Sequence, residues 1–292
     1  MNNITKYIKF SFFANFFLSL LKIIFGIISG MKSLFADGIH SLSDLTTDIV
    51  AIIGSKMSNK PADDNHPRGH GKIEYVTSLI ISIFIIVVSY SIIKNSLQGN
   101  NIIPNIYLSI VIVVTIIIKY ILSSFLIKKG KEENSMILIS SGNESFTDVF
   151  SSLVVLLALI ISQFYDKFSF LKYSDLIASI IISIMIFIMG FRLLLQNLSL
   201  LVGESERSDE IRKKIKKIIK SRNEKFLLKD YTIYKYGSYY EVIINILVDG
   251  NMTVRDGHNL MDSIENDLLT STLNIEYVTI HIEPLEDNGK KI

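Results

Sequence analysis

The pattern of apolar and polar positions changes character near residue 202. Before it, long apolar stretches recur, and a helix needs about twenty mostly apolar residues to cross a bilayer. Six stretches qualify, at about 8–29, 33–56, 73–95, 106–127, 135–163 and 174–196. After it, short patterned segments take over. Residues 206–222 place Ile211, Ile215, Ile218 and Ile219 on one side of an amphipathic helix. Residues 229–236 and 239–248 read as a hairpin around Gly237-Ser238. Thr253 reads as the cap of a second helix carrying Leu260, Ile264 and Leu268 and ending near Thr270, and 274–283 as a last strand. The expected architecture is an α-helical membrane protein with six transmembrane helices (1–202), followed by a small α+β domain (203–292). That domain has the order α-β-β-α-β, a sheet with two helices on one face.

Composition supports the membrane reading. The 292 residues are 49% hydrophobic, and the mean hydropathy of +0.40 is too apolar for a soluble domain of this length. The chain has no cysteine, which excludes a disulfide, a thiolate metal site and a cysteine nucleophile. A net charge of +2 gives no sign of a nucleic-acid partner. The first stretch lacks a small-residue cleavage site, so it reads as a span rather than a signal peptide. Lys56, Lys60, Arg68 and Lys72 lie between spans two and three, and Lys128, Lys129 and Lys131 between four and five. The other two connections are uncharged or nearly balanced, so both termini are expected in the cytoplasm.

The chemistry sits inside the spans. The second carries Asp37, His40, Asp44 and Asp48, the last three at i, i+4, i+8 on one helix face. The fifth carries Glu144 and Asp148, again one turn apart. Ionisable groups in a membrane helix are costly and face a cavity or a partner. Packed together, His40, Asp44, Glu144 and Asp148 make a site of one imidazole and three carboxylates, suited to a divalent first-row cation. The metal neutralises the carboxylates, and protons replace it when it leaves. Asp37 is open between an interfacial carboxylate and a member of this stripe. Asp48 reads as facing a water-filled vestibule, and Lys22 as an internal charge partner or a snorkelling group. A second cluster, Asp63, His66 and His70, can surround a cation in the short loop after span two. No H-E-x-x-H set is present for an intramembrane hydrolase.

The sequence resembles the cation diffusion facilitators. The resemblance rests on 33–44 (SLFADGIHSLSD), on 61–67 (PADDNHP) and 69–74 (GHGKIE), on Asp148 and on the ferredoxin-like tail, and it covers essentially the whole chain. It implies a homodimer in the cell membrane, a cytoplasmic metallochaperone-like domain, and export of a divalent metal cation (zinc, iron or manganese) in exchange for protons. The metal is then the substrate, with no organic cofactor and no enzymatic activity. By motif, the transport site carries over as His40, Asp44, Glu144 and Asp148, and the loop site as Asp63, His66 and His70. Glu144 departs from the family pattern, where a histidine or aspartate is usual. A C-terminal site carries over as His258, His281 and Glu283, with Asn245 and Lys229 where other ligands often sit. All five histidines then fall in candidate sites. The reading from a different class is a membrane-bound metal sensor or scaffold that binds without transport.

Overall fold

The structure is a computed structural model that describes residues 2–45, 60, 62–98, 103–133, 135–220 and 226–285, without the side chains of 2–5, 136 and 137. The N-terminal part is helical: α1 (Asn2–Ser29), α2 (Lys32–Asp44), α3 (Ile73–Gln98), α4 (Leu108–Glu132), α5 (Met136–Ser162) and, after a 3₁₀ turn at Ser169–Tyr173, α6 (Ser174–Val202). Five of the described helical segments are long and apolar enough to span a membrane. The expected second span is described only through its first turns, and Asp48 lies outside the described residues. α1, α3, α4 and α6 each run a few residues past the apolar run at one end, while α5 stays within it, because a helix continues past the hydrocarbon until its end groups find partners.

Two helix pairs share one packing device. Between α1 and α2, a Cβ added at Gly26 would meet the Phe35 backbone nitrogen at 2.6 Å, and one at Gly38 the Ile23 nitrogen at 2.8 Å. Between α4 and α5, Gly130 stands likewise against Ile139 and Gly142 against Ile127. In lipid there is no hydrophobic drive between apolar helices, so small residues that let backbones touch carry the association. Apolar side chains from α2 to α6 fill the bundle centre, among them Leu34, Ile85, Ile112, Leu159 and Ile186. The start of α2 is held by Asp175 of α6, which accepts from the Lys32 and Ser33 amides at 3.0 Å each and from Ser33 Oγ at 2.6 Å. An anion at a helix N-terminus satisfies its orphan donors.

The C-terminal elements are α7 (Asp209–Lys220), β1 (Phe226–Tyr236), β2 (Tyr239–Val248), α8 (Val254–Leu269) and β3 (Ile275–Pro284). Their order is the one expected. β1 and β2 form an antiparallel hairpin, and β3 pairs parallel to β2 after the α8 crossover. Gly237 (φ 62°) supplies the positive φ of the two-residue turn. Thr253 caps α8 by accepting from the Asp256 amide. Val242, Ile244, Ile246 and Val248 alternate onto the helix side of β2 and pack with Ile215, Ile219, Leu260, Ile264 and Leu268. β1 begins three residues earlier than its apolar pattern suggests and carries a bulge between Leu228 and Asp230. The chain forms two compact units, 1–49 with 80–194, and 50–79 with 195–292. The loop bearing His66 and His70 therefore belongs with the C-terminal elements.

Candidate metal centre

On α2, His40 and Asp44 are one turn apart, and α5 brings Asp148 to them. One ligand atom from each lies within 4.8 Å of the others. His40 and Asp148 are buried and Asp44 is half-buried. His40 Nδ1 is buried without a hydrogen-bond partner among the described residues. An imidazole nitrogen and two carboxyls meeting in an apolar bundle is a donor set for a divalent cation. Glu144 is not in that group of three. It lies one turn before Asp148 on α5, is exposed, and its charge acts on Asp44.

Asp37 occupies neither of the places considered for it. It is fully buried in an ion pair with Lys22 at 2.8 Å. Ser151 and Ser152 donate to its two oxygens at 2.6 and 2.8 Å, and Lys22 Nζ also donates to Ser152 and Ser41. The network pins α1, α2 and α5 together and removes Lys22 from any snorkelling role. A second buried lysine was not singled out in the sequence: Lys119 of α4 donates to Asp148 Oδ2 inside the cluster. The signal was present, since an ionisable group amid 110–122 is as costly as those on α2.

In the second unit, Asp63, His66 and His70 also converge within 4.8 Å. Asp63 Oδ1 accepts from the His66 amide at 2.7 Å and faces His66 Nδ1 at 3.1 Å, while Oδ2 faces His70 Nε2 at 3.3 Å. The His66 amide bond, followed by the His66 side chain, holds the Asp63 carboxyl below its usual range. The loop sits against a tyrosine stack. Tyr239 Oη donates to the Arg68 carbonyl at 2.7 Å and accepts from the Gly71 amide at 3.1 Å. The Gly237 amide donates to Tyr75 Oη at 2.9 Å, and Arg68 pairs with buried Glu241 at 2.8 Å.

The C-terminal candidates are dispersed. His258 on α8 is exposed and faces Asp262 at 3.4 Å. His281 and Glu283 share β3 at 3.9 Å, and Glu283 is engaged by Lys229 at 2.6 Å, which holds its carboxyl below the usual range. Asn245, opposite His281 in the sheet, bonds Asp230 at 2.7 Å. Among the described residues no third donor joins His281 and Glu283.

Residues 8–202 match the family described as cation efflux transmembrane domain, and 207–285 match the cation efflux protein cytoplasmic domain. The chain belongs to the cation diffusion facilitator family. It is 30% identical to an uncharacterised transporter of Methanocaldococcus jannaschii, over 97% of this chain and 99% of the relative. It is 27% identical to the manganese efflux system protein MneP of Bacillus subtilis, over 93% of each. The magnetosome protein MamB of Paramagnetospirillum magneticum is 30% identical over 52% of this chain and 53% of its own length. As a cation diffusion facilitator, the chain is a multi-pass membrane transporter for metal cations and not an enzyme.

Proposed function

We propose that this protein exports a divalent transition metal cation from the cytoplasm in exchange for protons, with His40, Asp44, Glu144 and Asp148 as the transport ligands. The observation that carries the proposal is the meeting of His40, Asp44 and Asp148 from two apolar helices within 4.8 Å. Glu144, one turn from Asp148, completes the set when the ion draws it in. Metal binding needs neutral imidazole and ionised carboxylates, so the ion and protons compete for the same atoms. That competition, with access alternating between the two sides, is an exchange cycle. One nitrogen and up to three carboxylates form an oxygen-rich, hard donor set. With the likeness to a manganese efflux protein, this makes manganese the first ion to test, before ferrous iron and zinc.

The membrane domain is 1–202, and the domain 203–292 lies in the cytoplasm with the N-terminus, as the basic loops require. The protein works as a homodimer. Asp63, His66 and His70 form a cytoplasmic loop site, and His258, His281 and Glu283 offer ligands that a partner subunit can complete.

The test is metal-driven proton flux in reconstituted vesicles, with manganese, ferrous iron and zinc run side by side against Asp148→Ala. Flux with at least one ion, lost in the variant, is expected. Saturable binding without flux would replace transport with a sensor or scaffold role. No binding and no flux with any ion would overturn both.

A further inference from the structure

Lys119 is 1% exposed and Asp148 3%, and the lysine's ammonium is bonded to a carboxylate oxygen of the metal cluster. Lys119 belongs to α4, which supplies no ligand. Its position is fixed by a close contact between α4 and α5. Gly130 and Gly142 let the α4 and α5 backbones touch, and Ser123 Oγ donates to the Gly142 carbonyl at 2.7 Å across the same seam. Lys22 is already paired with Asp37, so it does not serve Asp148 in this way.

We propose that Lys119 is a tethered competitor for the transported ion: its ammonium holds Asp148 while the site is empty, and an arriving cation must displace it. This rests on the transport site proposed above and adds a residue outside the ligand set. Two physical consequences follow. A carboxylate left bare in the bundle would be costly, and Lys119 compensates Asp148 between ions, so the protons of the return step are carried by the other ligands, His40, Asp44 and Glu144. The same ammonium opposes metal capture, which weakens binding and hastens release. Charge selection follows as well. Asp44, Glu144 and Asp148 together with Lys119 leave a deficit of two charges, which one divalent cation neutralises and a monovalent one does not.

The test is metal binding by calorimetry and transport kinetics, on the same full-length preparations, for wild type, Lys119→Met, Lys119→Gln and Lys119→Arg. The neutral variants are expected to bind the transported ion about tenfold more tightly, the scale of a 1.4 kcal/mol charge–charge coupling. Their turnover should fall while KM also falls, and Lys119→Arg should return affinity toward wild type. A merely structural lysine would instead give weaker binding or unchanged affinity, which overturns the proposal. A measurement on wild type covers the case in which the variants do not fold. Amine acylation read by mass spectrometry should label Lys119 faster when the ion is present, and equal or slower labelling overturns the proposal. Wild type that neither binds nor transports any ion would instead count against the transport reading itself.

Discussion

At the scale of single residues, the buried lysines organise the bundle. Lys22 and Asp37 are both fully enclosed and share Ser152 as a partner. Removing one member leaves the other charged and uncompensated, a loss on the order of 3–5 kcal/mol. Asp37→Ala should therefore lower the unfolding midpoint of the detergent-solubilised protein markedly. Lys22→Met with Asp37→Leu should recover most of that loss, because no bare charge remains. A double variant as unstable as the single one would mean that the serines, not the charge pair, carry the network. Of these residues, His40, Asp44 and Asp148 could be picked out by spacing alone. Which lysine serves which carboxylate could not, because a lysine's long side chain reaches to other helices and only packing selects the partner.

At the scale of elements, the reciprocal glycines decide how near the helices come. A Cβ at Gly142 would meet Ile127 Cγ1 at 2.7 Å and the Ile127 nitrogen at 3.0 Å. Gly142→Leu should wedge α4 from α5, cost about 1–3 kcal/mol through overpacking, and impair transport. Gly250→Ala, whose nearest neighbour would be at 3.8 Å, should leave both melting and flux unchanged. The loop 62–72 depends on a different contact. Burial pushes the Tyr239 phenol up from its ordinary value, against the smaller opposing effect of the Gly71 amide. A group whose folded value is raised contributes its stability in full below the unfolded value, about 10 for tyrosine. That contribution is lost as pH rises through the raised value. The unfolding midpoint should then hold up to about pH 10 and fall above it, as the phenol loses the proton it donates to the Arg68 carbonyl. In Tyr239→Phe the midpoint should be lower at neutral pH and its fall at alkaline pH smaller, and an unchanged profile in that variant would remove the tyrosine from the account.

At the scale of the molecule, the loop 62–72 and the C-terminal elements form one compact unit. Metal held by Asp63, His66 and His70 thus bears on the same unit as the sheet. Deleting 203–292 removes Tyr239, Glu241 and Gly237, which hold Arg68, Gly71 and Tyr75 in place. The truncated protein should still transport, with a lower apparent metal affinity and a loop site that no longer binds measurably. Unchanged affinity in vesicle flux would show that the loop and tail contribute nothing to capture.

Periodicity and length were enough to determine the apolar segments, the α-β-β-α-β tail and the pairing of ionisable residues one turn apart, His40 with Asp44 and Glu144 with Asp148. These are local facts: a turn of helix places i and i+4 together whatever surrounds it. The Gly237 turn and the Thr253 cap belong to the same class, since each is a contact between near neighbours in the chain. Tertiary structure alone decided the rest. It brought Asp148 to His40 and Asp44, set Glu144 at the margin, enclosed Asp37 with Lys22, and delivered Lys119 to Asp148. It also docked the His66–His70 loop on a tyrosine stack from the hairpin. Each of these joins residues far apart in sequence, and the choice among possible partners rests on backbone approach at the glycines and on the cost of burying a charge alone.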